Sequence, residues 1–364
     1  MTLSPELVHS LSDLLVRLGR IGYVVAKNPS LWANLERGGD WDLVVTDLSA
    51  AGRSVTASLG TPLRVECHTY VHAYFYGWGE IDLLAGVHWR GVELLSASDM
   101  IRDASVGSDG VMNPSIAHEA VAAWIAPLLS SATFKPTYAG TLQRAASTDA
   151  AKFVIVLRRI FGKRLSISLL RMAARGSPED SLAMTRTLRR VVVVRALLTQ
   201  PLKTTRNASH FGLREINMRW HPPTPWLEVT SCEQVDAAES WAARQGRAIP
   251  GVLLVTTKCR AAYHVQEVAF RGERHTSLGA PEQRTALGRR WWLATRQSRG
   301  WLVVILNSGG AGQSCSSGAV RRTRSALSGR PIVCPDARDV ETYLSGELAR
   351  HTRRVLMNIG GPTA

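Results

Sequence analysis

The chain has 364 residues, 44 basic against 29 acidic, and a formal net charge of +15. Its 45% hydrophobic and 20% charged residues are ordinary for a folded protein with two or three cores, which excludes a disordered or collagen-like chain. Five cysteines (67, 232, 259, 315, 334), odd in number and without short paired spacing, argue against a disulfide framework and a zinc site.

Ser4-Pro5-Glu6 carries no basic head or apolar signal core and instead opens an amphipathic helix over residues 5–19. Leu7, Leu11, Leu14, Leu15 and Leu18 fall on its apolar face. Strands are expected at 21–26, 41–46, 63–70, 71–78 and 80–85, with a short strand or turn at 89–94. His68 and His72 stand four apart, but their surroundings read as strand, which favours a structural role over a metal pair. The pattern then becomes helical at 118–129, 150–161, 164–174 and 181–198. His221-Pro222-Pro223-Thr224-Pro225 ends that run. Strands at 226–230, 251–257 and 301–307, with helices at 233–244, 281–297 and 336–357, then predict a parallel sheet flanked by helices. The glycine-rich segment 307–314 lacks dinucleotide-binding spacing and reads as a plain loop. No apolar stretch reaches the length of a membrane span, so a cytoplasmic protein without membrane contact is expected.

Charge is uneven. Residues 1–120 hold 8 basic and 14 acidic residues, whereas residues 135–220 hold 17 basic and 4 acidic. Such a basic segment admits a polyanionic partner, including nucleic acid, or an ordinary solvated face.

One cluster joins residue type, spacing and context. Gly38-Gly39 precedes Asp40-Trp41-Asp42-Leu43-Val44-Val45, and Glu80-Ile81-Asp82-Leu83-Leu84 follows later. Residues i and i+2 of a strand share a face, so Asp40 and Asp42 project together. A neighbouring strand can bring Asp82 beside them. Three carboxylates on one face repel one another unless a counter-ion intervenes, and paired magnesium ions serve that purpose in phosphoryl transfer.

These segments resemble the nucleotidyltransferase fold of the polymerase-beta superfamily over roughly residues 20–95. The layout is similar to bacterial proteins that join a minimal nucleotidyltransferase domain to a helical spacer and a thymidylate-kinase-like domain. The resemblance implies that Asp40 and Asp42 hold magnesium and the nucleoside triphosphate. It implies that Asp82 also ligates metal and helps to activate an acceptor hydroxyl. Gly38 and Gly39 form the turn that leads into the acids. The superfamily places a further glycine turn about ten residues before the paired acids; here that region reads Ala26-Lys27-Asn28, and Lys27 can supply a point charge to the triphosphate instead. The kinase-like relatives carry G-x-x-x-x-G-K-[ST] after the proline turn, but residues 227–234 read LEVTSCEQ, without glycine or lysine.

The expected organisation is an α+β nucleotidyltransferase-like domain at 1–110, an all-α basic domain at 111–220 and an α/β domain at 224–360. The last is a degenerate P-loop-kinase-like domain. The expected function is magnesium-dependent transfer of a nucleoside monophosphate from an NTP such as ATP to an anionic or hydroxyl-bearing acceptor. The alternative is a binding or scaffold protein that keeps the fold and has lost the chemistry, with nucleic acid as one partner class.

Overall fold

The computed structural model describes residues 4–26, 40–76, 78–220, 226–229, 237–238, 240–241, 252–257, 263–267, 302–307, 332–333 and 340–360. It is a mixed α and β protein that divides into two compact units. The first comprises Met1–Gly60, Cys67–Ala73 and Glu80–Gly212; the second comprises Thr61–Glu66, Tyr74–Gly79 and Leu213–Ala364.

The first helix, α1 (Pro5–Ile21), is capped by Ser4, whose side chain accepts from the Leu7 amide at 3.3 Å, with a proline in the first turn. It buries Leu11, Leu14 and Leu18 completely. Strand β1 (Tyr23–Val25) pairs antiparallel with β2 (Asp40–Val45). Helix α2 (Leu48–Leu59) is capped by Asp47, which accepts from the Ser49 and Ala50 amides at 2.9 Å each. Strands β3 (Arg64–His68), β4 (Val71–Tyr76) and β5 (Gly79–Leu84) complete a five-stranded sheet of order β1-β2-β5-β4-β3. His68 and His72 thus lie on successive strands, not one turn apart on a helix.

Alternation sorts the central strands into two faces. Trp41, Leu43, Ile81 and Leu83 are fully buried on one. On the other, Val44 joins the large helical core, and Asp42 and Asp40 share its face two and four residues earlier.

Strands β6 (Gly86–Trp89) and β7 (Val92–Ser96) form a hairpin in which Trp89 faces Val92. Its two-residue turn has Arg90 at φ 49° and Gly91 at φ 86°. Both values suit a type I′ turn, which matches the twist of the flanking strands. A Cβ on Gly91 would stand 3.1 Å from the backbone of Asn207 and Ala208. Gly91→Ala is therefore expected to destabilise the protein by more than the roughly 1–2 kcal/mol of a left-handed non-glycine residue alone. Arg90→Asn, which suits the left-handed region, is expected to leave stability unchanged or raise it slightly. Urea denaturation of both variants checks the contrast.

After α3 (Ala97–Arg102) and the short strands β8 (Ser105–Val106) and β9 (Met112–Asn113) come the helices. Helix α4 (Ile116–Ser131) is apolar nearly all round and is buried from Ala117 to Ile125, as an all-apolar helix must be. Around it lie α5 (Ala139–Thr148), α6 (Ala150–Phe161), α7 (Lys163–Arg175) and α8 (Thr185–Thr199), each contributing residues to one core. Helix α9 (Pro201–Trp220) follows, starting on a proline.

In the second unit, β10 (Trp226–Val229), β11 (Val252–Thr257), β12 (Tyr263–Glu267), β13 (Leu302–Asn307) and β14 (Ile332–Val333) form a sheet of order β12-β11-β13-β10-β14. β11, β13, β10 and β14 are parallel and β12 is antiparallel, so the expected parallel sheet carries one reversed edge strand. Helix α10 (Val340–Gly360) closes the chain. The expected helix at 281–297 and the glycine-rich segment after Asn307 lie outside the described residues. Among the described residues, no helix is long and apolar enough to cross a membrane.

Candidate metal centre and adjoining cavity

β2 and β5 are parallel neighbours in a register that pairs Asp40 with Glu80 and Asp42 with Asp82. Adjacent strands lie about 4.8 Å apart, and paired residues of a parallel ladder present their side chains to the same face. The sheet therefore brings Asp40, Asp42 and Asp82 to one face, with Glu80 as a fourth acid. Asp42 is only 9% exposed, whereas Asp40 is exposed at the strand end.

The electrostatics follow from this register. The Asp82 carboxyl is pushed well above its ordinary value, first by burial and then by the charge of Glu80 and of Asp42. A hydrogen bond with Glu80 and the charge of Asp40 push the same way. Asp82 Oδ1 is buried and has no hydrogen-bond partner. A buried acceptor among like charges is the environment a cation relieves. Among the described residues, no three His, Cys, Asp or Glu side chains are grouped so as to hold a metal ion by themselves. Magnesium does not require such a cage, because it commonly uses one or two carboxylates and takes its other ligands from water and phosphate. The paired Asp42 and Asp82 carboxylates fit that donor set.

Asp42 also lines a cavity of about 310 Å³, together with Tyr70, His88, Ala122, Ala126 and Phe211. The Tyr70 and His88 rings stack with centroids 4.0 Å apart and planes 5° from parallel. The Tyr70 hydroxyl donates to the Asn207 carbonyl at 3.4 Å, and burial raises its pKa. Burial also holds the His88 imidazole below its usual value, so it stays neutral near pH 7. Arg90 borders the cavity, with its guanidinium 5.7 Å from the Trp89 ring centroid.

Lys27, Gly38 and Gly39 lie outside the described residues. Sequence reasoning missed Glu80, although the two-residue spacing that joins Asp40 to Asp42 also joins Glu80 to Asp82. Tyr70, His88 and Phe211 carried no signal, because separate segments bring them together. Several cations of the basic helical segment have local work. Arg189 donates to the Leu129 and Ser130 carbonyls at 2.7 and 3.1 Å, closing the end of α4. Lys152 and Arg159 reach Asp103 and Asp99, both at 3.2 Å.

Comparisons with protein-family models, with curated proteins and with solved structures return no match.

Proposed function

We propose that this chain is a nucleotidyltransferase that moves a nucleoside monophosphate from an NTP to a hydroxyl acceptor. The observation that carries the reading is the register that sets Asp42 opposite Asp82, with Asp40 on the same face. Asp42 and Asp82 would hold magnesium, with Asp40 at the strand end on the same face, and the ion would supply charge neutralisation to the triphosphate and polarise the α-phosphoryl group. The acceptor oxygen bonds to the α-phosphorus, the bond to the pyrophosphate oxygen breaks, and the acceptor proton passes to the Asp82 carboxylate. The cavity beside Asp42 takes the nucleoside, and its apolar wall from α4 keeps water from the carboxylates. The second unit has no phosphate-binding loop in its sequence, so the degenerate kinase-like domain has no phosphoryl-transfer role in this proposal.

A second reading, nucleotide binding without transfer, is favoured by the lack of a three-ligand group among the described residues. Calorimetric titration of the full chain with ATP, with and without magnesium, tests the shared premise. Binding should depend on the metal, and Asp42→Asn should weaken it at least about 10–100-fold. ATP binding indifferent to magnesium and to that change would remove the site from both readings. Release of pyrophosphate and labelled product from α-labelled ATP then separates transfer from binding.

A further inference from the structure

We propose that a second cavity, of about 570 Å³ and formed by β7, α6, α8 and α9, binds a small phosphate monoester through Arg195. Arg159, Arg195 and Lys203 all line it, with the side-chain amides of Gln200 and Asn207 and the hydroxyl of Ser98. Its volume lies within the range of sites for small metabolites.

The cations are not equivalent. Arg159 pairs with Asp99 at 3.2 Å. Lys203 pairs with Glu93, its nitrogen 2.9 and 3.0 Å from the two oxygens. Arg195 is half-buried, and its Nε is buried without a hydrogen-bond partner. A buried guanidinium N–H with no acceptor is costly and uncommon. The position is shaped for the group as well. Gly162 follows the last turn of α6 at φ +79°, and a Cβ there would stand 3.0 Å from Arg195 Nη1. Arg195 thus lines the cavity with no protein acceptor on its buried Nε, and the rest of its guanidinium is what a ligand in the cavity would meet.

A planar guanidinium matches two oxygens of a phosphate or carboxylate. Both acids at the wall are already engaged, Asp99 also by Arg102 at 2.7 Å. Arg159 and Lys203 keep further N–H donors, since guanidinium and ammonium groups carry five and three respectively. Three cations lining one cavity suit a dianionic phosphate better than a monoanionic carboxylate. The amides and the serine hydroxyl suit a sugar attached to it. Gly91 lines this cavity and the one beside Asp42, so the two sites flank one hairpin turn, but neither shares a charged side chain with the other.

The test is calorimetric titration and thermal melting of the full chain with ribose 5-phosphate, inorganic phosphate, ribose and acetate. Ribose 5-phosphate should bind and raise the melting temperature, inorganic phosphate should bind more weakly, and ribose should have no effect. Arg195→Met, which keeps the apolar stem, should weaken ribose 5-phosphate at least about tenfold. Arg195→Lys should weaken it less and serves the same comparison if the methionine variant fails to fold. Asp42→Asn should leave it unchanged, which separates this site from the acid face. Binding undiminished in Arg195→Met, acetate equal to phosphate, or no response to either phosphate at millimolar concentration would overturn the proposal.

Discussion

Asp82→Asn is expected to raise the thermal stability of the ligand-free protein while weakening magnesium-dependent ATP binding at least about 10–100-fold. The two effects share one cause. The register sets Asp82 against Asp42 and near Asp40, and its own strand places Glu80 on the same face. Burial, then Glu80, then Asp42 favour the protonated carboxyl. Between the ordinary value of 3.8 and the raised folded value, the folded protein holds a proton that the unfolded chain has released. Stability therefore declines as pH rises through that window, and the contribution, full below it, is gone above it. Asparagine carries no titrating proton, so the variant lacks that slope and gains most near neutral pH. Melting curves from acid to neutral pH, without divalent cation, make the comparison. A variant less stable than the parent near neutral pH, or one with an unchanged pH slope, would contradict the electrostatic account. Magnesium should narrow the gap by stabilising the parent only. A residue that costs stability when empty and contributes affinity when filled is an expected trade at a functional site.

Much of the first unit was legible because its signals are local. Ser4 and Pro5 marked the start of α1, and the leucine spacing marked its buried face. Alternation around Asp42 and Asp82 identified β2 and β5 to within one residue at each end. The sheet order was not legible: nothing in the sequence states that β5 inserts between β2 and β4, and that insertion alone makes Asp82 the neighbour of Asp42. Helix α2 was missed because Gly52, Ser54, Thr56 and Ser58 are weak helix formers; the Asp47 cap and burial of Ala51 and Val55 outweigh them. Helix α9 falls in the region expected to be helical up to the prolines at 222–225, but it was not delimited as a helix of its own, its sequence carrying Thr204, Thr205, Asn207, Ser209 and Gly212. The segment expected as one helix at 181–198 begins instead as a 3-10 turn over Pro178–Met184, before α8. The residues at 89–94 hold the turn of a hairpin, since left-handed Arg90 is not a residue that composition would place there. The cavity beside Asp42 draws on β4, β6, α4 and α9 and could be seen only once these were assembled.

Trp124→Ala is expected to cost about 3–5 kcal/mol, the range for removing a large buried aromatic side chain. Trp124 is fully buried at the centre of α4, in the core that also contains Val44 of β2. Its indole N–H donates to the Ser181 hydroxyl at 3.1 Å, and that hydroxyl donates to the Pro178 carbonyl at 2.6 Å. Alanine leaves a cavity and a buried hydroxyl without its donor. Trp124→Phe keeps most of the volume and loses the hydrogen bond, so its cost should be smaller, about 1–3 kcal/mol. Two compact units need not unfold together, so the loss belongs to the transition of the first unit, followed in urea by tryptophan fluorescence and circular dichroism. The consequence for binding separates architecture from chemistry. Ala122 and Ala126, on the same helix, form part of the wall beside Asp42. Where Trp124→Ala remains folded at low temperature, it should bind magnesium-ATP nearly as the parent does and lose it only as the first unit melts. Asp42→Asn should show the reverse, a melt no lower than the parent's with metal-dependent binding weakened at least about 10–100-fold. If Trp124→Ala lost binding while fully folded, α4 would be acting on the acids directly rather than by supporting the sheet that carries them.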